Sequence, residues 1–325
     1  MTNYRTLITR DIGEKAIASI QKISEVDVWL ESTPPSAEQI KQSLKDVDAL
    51  VCMLTDPISR EIIESAPKLK VISQMAVGTD NIDVAFATQK KIPVGHTPDV
   101  LSNTTADFAF ALLLAVARRV VESHNAVHQG NWQPWGPYVW SGHDVTGSTI
   151  GIIGMGRIGQ AMARRAAGFD MKILYHSRTR KPEIENKLDA EFLSLDALLE
   201  RSDFISLHTF LSEDTHHLIN KKSFQLMKEN AILINTARGA VVDQKALIDA
   251  LQSGKIAGAG LDVSDPEPIH PTDPLLNLPN VVITPHIGSA SIQTRKRMAM
   301  MMAENVTAAL SGKEIPYCAN PQVYS

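Results

Sequence analysis

Apolar positions in the first part of the chain come in two alternating periods. Short apolar runs at 5–9, 26–30, 49–54, 71–73 and 92–94 predict strands. Between them, stretches at 14–23, 36–44 and, after an Asp56-Pro57 turn, up to Ala66 carry apolar residues at helical spacing. Strands alternating with helices predict a parallel sheet in an open α/β domain, whose ligands sit beyond the carboxyl ends of the strands. The segment Met75-Ala76-Val77-Gly78-Thr79-Asp80-Asn81 follows such a strand. Its backbone N–H groups suit a small anion, and the same spacing suits a plain glycine turn.

Beyond His96-Thr97-Pro98-Asp99 the pattern changes. Residues 104–121 predict a strongly apolar helix with Arg118 and Arg119 near its end, where the helix dipole favours cations. Residues 130–143 carry Trp132, Trp135, Tyr138 and Trp140 among prolines and glycines, with no period. An arm packed on a partner subunit and a loop lying on its own domain both fit that composition. Alternation then resumes, with strands at 149–153, 171–176, 204–208, 231–236, 256–263 and 281–284. Helices fall between them, including 221–228 and 243–252, the latter with Asp243 as N-cap and Gly254 as its stop. A last helix, 291–310, carries Met298, Met300, Met301 and Met302 as core filler. The pattern divides the chain into one domain of residues 1–98 and 290–325 and a second, 99–289, inserted in it.

The inserted part contains the most specific motif. Thr149-Ile150-Gly151-Ile152-Ile153 runs into Gly154-x-Gly156-x-x-Gly159 and a helical pattern to Ala167. Gly154 permits a tight turn, Gly156 lets the backbone approach a pyrophosphate, and Gly159 lets the helix pack on its strand. The helix N-terminus adds N–H groups and a positive dipole end, and Arg157 adds a cation. Strand, glycines and helix together form a dinucleotide-binding (Rossmann) fingerprint. For NAD, an Asp or Glu about 20 residues further on would take the ribose 2′-hydroxyl. The chain instead reads Ser177-Arg178-Thr179-Arg180-Lys181. A hydroxyl and three cations suit a 2′-phosphate, which favours NADPH and leaves NADH possible. A solvated basic turn is the competing reading.

Composition narrows the classes. The chain's 325 residues suffice for two domains with cores of their own, and a formal net charge of −4 provides no basic field for nucleic acid or an anionic membrane. The longest apolar run, 108–117, is too short to span a membrane, and Cys52 and Cys318 stand in no metal or redox spacing. No targeting pattern opens the chain. A cytoplasmic protein without a metal is expected.

Three polar residues stand just past strands: Arg238 after 231–236, Glu267 in Asp265-Pro266-Glu267-Pro268, and His286 after 281–284. Each alone has an ordinary account as a surface arginine, a turn carboxylate or a core histidine. Together, at strand ends, they point to one crevice. At this point a resemblance is specific. The stretches AVGTDNID (76–83), TTADFAFALLLAVARR (104–119), GIIGMGRIGQ (151–160), INTARGAVVD (234–243), AGLDVSDPEP (259–268) and PHIGSA (285–290) resemble the D-isomer-specific 2-hydroxyacid dehydrogenases. Within that family they are most similar to glyoxylate/hydroxypyruvate and 2-ketogluconate reductases.

The resemblance implies an α/β fold of two doubly wound parallel-sheet domains, a Rossmann domain inserted in a flavodoxin-like substrate domain. It implies reduction of a small 2-oxoacid. Arg238 would bind the carboxylate and polarise the ketone, a task for a planar fork of donors. His286 would be the general acid, oriented by Glu267. Cofactor contacts would come from the glycine turn (Gly154, Gly156, Arg157, Ile158, Gly159) and the basic turn (Ser177, Arg178, Arg180). Further cofactor contacts would come from Thr105, His208, Thr209, Thr236, Ala237, Asp262 and Gly288. Leu54, Val77, Gly78, Trp135, Arg238 and His286 would meet the substrate, and a homodimer is the family's expectation. Longer relatives carry a C-terminal regulatory domain, for which the residues up to Ser325 leave no room. The alternative is a dinucleotide-sensing corepressor-like protein of the same fold, although the chain shows no basic or disordered extension for recruiting partners.

Overall fold

A computed structural model describes residues 4–325. Residues 1–3, on which the absence of a targeting pattern in part rests, lie outside the described residues. The chain divides into two compact units, Met1–Leu101 with Ala290–Ser325, and Ser102–Ser289.

The first unit is built on β1 (Arg5–Ile8), β2 (Glu25–Val28), β3 (Ala49–Cys52), β4 (Val71–Gln74) and β5 (Val94–Gly95). These form a parallel sheet in the order β2-β1-β3-β4-β5, the doubly wound order of flavodoxin-like domains. β3 and β4 are buried at every position, as parallel strands covered on both faces must be. Helix Ala37–Ser43 opens with a capping box, Ser36 Oγ accepting from Gln39 N–H while Gln39 Oε1 accepts from Ser36 N–H. Helix Ile292–Leu310, capped by Ser291, packs against this sheet and buries Met298, Met301 and Met302.

The second unit holds β6 (Thr149–Ile153), β7 (Lys172–His176), β8 (Glu191–Phe192), β9 (Phe204–Leu207), β10 (Ile232–Asn235), β11 (Gly258–Leu261) and β12 (Val281–Ile283). All are parallel, in the order β12-β11-β10-β9-β6-β7-β8, so the strand order reverses at β6. Successive side chains of a strand point to opposite faces, and these strands feed two cores accordingly. Ile150, Ile152, Ile173, Tyr175, Ile232 and Ile234 enter one cluster, whereas Ile153, Leu174, Ile205, Leu207 and Leu233 enter the other.

Most elements fall where the apolar pattern places them. Helix Gln244–Gln252 has Asp243 Oδ1 accepting from Ala246 N–H at 3.1 Å and Gly254 at φ +71°. One helix differs. The apolar run expected to continue to residue 121 is two helices, Ser102–Ala117 and Val120–His128, with Arg119 left-handed between them at φ +52°. The buried face ends at Ala117. Arg119 then turns its guanidinium to Glu122 through two 2.7 Å hydrogen bonds and lies over the Trp140 ring. Helices Val84–Gln89, Pro182–Leu188 and Leu195–Arg201 carry too short an apolar pattern to be visible in the sequence. No helix among the described residues is long and apolar enough to cross a membrane.

Candidate active site

The glycine turn follows β6 directly. Gly154 sits at φ +96°, donates its N–H to the His176 carbonyl at 2.8 Å, and is pressed against the segment after β9. A Cβ on Gly154 would lie 2.6 Å from the His208 carbonyl group and 2.8 Å from Thr209 N. One on Gly159 would run into the Gly154 carbonyl. Gly156 is the opposite case: a Cβ there meets nothing within 4 Å, and no side chain caps the helix Arg157–Ala167 that it opens. A helix N-terminus uncapped and open to approach is an anion site. Thr236 Oγ1, just past β10, is buried with no hydrogen-bond partner among the described residues. The open cradle and this orphaned hydroxyl fit a bound dinucleotide.

His208 stands past β9 with Nε2 2.8 Å from Ser206 Oγ, and burial holds its imidazole down to about 4, so it is neutral near pH 7. In the basic turn the two arginines are not alike. Arg180 is engaged by Glu185 through hydrogen bonds of 2.9 and 2.7 Å, and Glu185 also accepts from Tyr175 OH. Arg178 instead lies over the ring of Phe210, 5.6 Å from its centre. Ser177 Oγ is turned to the Thr179 carbonyl at 2.7 Å.

Arg238, Glu267 and His286 follow the neighbouring strands β10, β11 and β12. Asn235, fully buried at the end of β10, sets the first loop: its Oδ1 accepts from Ala237 N–H at 3.0 Å and its Nδ2 donates to the Arg238 carbonyl at 2.9 Å. Gly239 lets the second loop pack against the first, since a Cβ there would be 2.7 Å from Asp265 N and closer still to the Ser264 carbonyl. His286 Nδ1–H donates to Glu267 Oε1 at 2.5 Å, with the imidazole about one-fifth and the carboxylate about one-third exposed.

The third loop is held from below by Asp262. Its Oδ1 accepts from Thr284 Oγ1 at 2.7 Å and Ile287 N–H at 2.8 Å, and its Oδ2 accepts from Gly288 N–H at 2.7 Å. Its backbone carbonyl accepts from His286 N–H at 2.9 Å. These bonds hold His286 at φ +54°, a conformation a non-glycine residue adopts only when its surroundings impose it. Asp262 is 1% exposed, and burial pushes its carboxyl above the usual aspartate range against the three donors that lower it. Thr105 and Gly288 lie beside it: a Cβ on Gly288 would be 3.4 Å from Thr105 Cγ2 and 3.0 Å from Asp262 Oδ2.

The sequence pointed to Arg238, Glu267 and His286 but not to Asn235, Gly239 or Thr284, which shape their loops. An Asn closing a strand and a Gly directly after the arginine were the available signals. In the first unit, Leu54 follows β3, and Val77 and Gly78 follow β4. Asn81 Nδ2 ties those two loops by donating to the Met53 and Asp56 carbonyls at 3.1 and 2.8 Å. His96 Nδ1–H donates to the Val77 carbonyl at 3.0 Å, and buried Gln74 donates to that of Gly78. Trp132, Trp135 and Tyr138 of the arm are 78–88% exposed. Arg119 and Trp140 border a groove of about 900 Å³ that also takes in Val116, Val121, Leu276 and Val282.

Fold and site together define a class, the oxidoreductases that use a nicotinamide dinucleotide. Residues 110–288 match the family model described as D-isomer specific 2-hydroxyacid dehydrogenase, NAD binding domain. The chain is 53% identical over 320 residues to the glyoxylate reductase of Korarchaeum cryptofilum, covering 98% of this chain and 96% of that one. Among solved structures it is similar to the TT0316 protein of Thermus thermophilus, with a TM-score of 0.91 and 46% identity over 97% of this chain and 99% of that one. It is also similar to an NADPH-dependent glyoxylate/hydroxypyruvate reductase from Sinorhizobium meliloti in complex with NADP and malonate. There the TM-score is 0.86, at 30% identity over 99% of this chain and 98% of that one. The chain belongs to the D-isomer-specific 2-hydroxyacid dehydrogenase family. It is an NAD(P)-dependent oxidoreductase, and these relatives do not favour the sensing alternative.

Proposed function

We propose that the chain reduces a small 2-oxoacid to the D-2-hydroxyacid, with NADPH as its preferred cofactor and glyoxylate, hydroxypyruvate or 2-ketogluconate as substrate. The observation that carries this reading is the 2.5 Å pairing of His286 with Glu267, one strand from the loop of Arg238. When bound, the reduced dinucleotide supplies a hydride to the substrate's C2. Arg238 binds the carboxylate through its planar fork and polarises the ketone. His286 enters as the imidazolium and gives its Nε2 proton to the C2 oxygen as that oxygen becomes an alkoxide. Glu267 holds Nδ1–H throughout, which orients the ring and balances its charge. Leu54, Val77 and Gly78 contribute to substrate binding, the last two through backbone N–H groups.

The NADPH preference is supported by the lack of a carboxylate after β7, by Arg178 having no ion pair among the described residues, and by the cofactor of the Sinorhizobium meliloti relative. The exposed rings of the arm and the groove beside Trp140 support a homodimer in which the arm of one copy lies on the other, since exposed aromatic clusters mark interaction surfaces.

The test is the initial rate of NADPH and NADH oxidation with each of the three acids, repeated for His286→Ala. Turnover faster with NADPH and lost in the variant is expected. A wild type that turns over none of the acids, or a variant that keeps its rate, would refute the reading.

A further inference from the structure

β7 and β9 are not neighbours. β6 lies between them, with Ile153 opposite His176 on one side and Leu207 on the other. Arg178 stands two residues past the end of β7 and Phe210 three past the end of β9. Their side chains meet across the end of β6, where the glycine turn begins, with the guanidinium carbon 5.6 Å from the ring centre. That distance is within cation–π range. Phe210 is 60% exposed, so burial does not explain a phenylalanine at this position. Arg180, the other arginine of the turn, is engaged by Glu185, whereas Arg178 makes no ion pair among the described residues.

We propose that Phe210 is a specificity-determining residue for the cofactor: its ring holds Arg178 beside the glycine turn, where a ribose 2′-phosphate arrives. The inference rests on the NADPH reading above. A dinucleotide whose pyrophosphate sits on the glycine turn lays its adenosine ribose at the end of the second strand of the fold, here β7. A free arginine side chain samples many rotamers, and each must be given up when it grips a phosphate. Contact with an aromatic ring removes much of that freedom beforehand. The contact takes up no N–H as a hydrogen bond to a protein acceptor among the described residues, so those groups are left for phosphate oxygens.

The experiment measures by calorimetry the affinity of the whole chain for 2′,5′-ADP and for 5′-AMP. The proteins are the wild type, Phe210→Leu, Phe210→Tyr and Arg178→Ala. Phe210→Leu keeps an apolar side chain and removes the π face. It is expected to weaken 2′,5′-ADP about two- to fivefold, the size of an exposed cation–π contact, and to leave 5′-AMP unchanged. Phe210→Tyr is expected to keep the wild-type ratio. If Phe210→Leu weakens both probes equally, the ring is an adenine shelf and the proposal is overturned. Wild-type affinity of that variant for 2′,5′-ADP overturns it as well. A wild type that does not distinguish the probes, or an Arg178→Ala variant that loses both alike, removes the NADPH reading itself, and the proposal falls with it.

Discussion

His208 offers a prediction whose size follows from one number. Its imidazole is held down to about 4 by burial, against about 6.5 in an unfolded chain. Above pH 6.5 neither state binds the proton, and the residue costs nothing. As pH falls below 6.5 the unfolded chain takes the proton and the folded one does not, so stability is lost progressively until about pH 4, below which the loss is complete. At about 1.4 kcal/mol per unit the full loss is about 3 kcal/mol, and at pH 5 about 2 kcal/mol. With a urea slope of about 2 kcal/mol/M, that moves the midpoint down by about 1 M. His208→Gln keeps a side-chain partner for Ser206 Oγ, now 2.8 Å from the imidazole, and has no proton to take up. Urea unfolding at pH 7 and pH 5 without dinucleotide, followed by far-UV circular dichroism, compares the two proteins. Other groups titrate in both proteins and cancel. The wild type should lose about 1 M more than the variant. Parallel losses would show that the imidazole is not held neutral by its surroundings.

Arg238→Lys should cut kcat/KM for the 2-oxoacid by about a hundredfold or more, because a point charge cannot replace the bidentate fork; steady-state rates within a few-fold of wild type would refute the assignment. Asp262→Asn puts an N–H donor against one of the three donors now bonded to the carboxylate. An unmet buried donor costs about 1–3 kcal/mol, so kcat should fall about tenfold or more together with the melting temperature. Unchanged values of both would mean the His286 loop holds itself. Gly154→Ala places a methyl against the His208 carbonyl at a φ of +96°, and should abolish dinucleotide binding measured by cofactor fluorescence. Retained affinity would contradict the close packing of the turn on β9.

Much of this was legible in the chain because it rests on local periodicity. Runs such as 149–153 and 231–236 read as strands because parallel strands covered on both faces must be apolar throughout. Asp243 and Gly254 marked a helix because caps act within a few residues of themselves. The glycine spacing was readable for the same reason: the turn, the pyrophosphate approach and the helix packing follow one another along a single stretch.

Other features could not be read this way, since at least one partner in each lies far off in sequence. Arg178 and Arg180 look equivalent in the basic turn, and only folding gives one to Glu185 and the other to Phe210. Asp262 reads as a polar residue closing a strand, and its task is set by Thr284, Ile287 and Gly288 on the next loop. Arg119 sits in an apolar helical pattern, yet the helix breaks there, with Glu122 and Trp140 taking its guanidinium. The sequence by itself determined the α/β class and the residue types at the strand ends, because those follow from side-chain period and backbone freedom. Only the tertiary structure decided which polar groups meet between strand ends, which arginine meets Phe210 and how His286 is held at positive φ, because each depends on strands brought side by side.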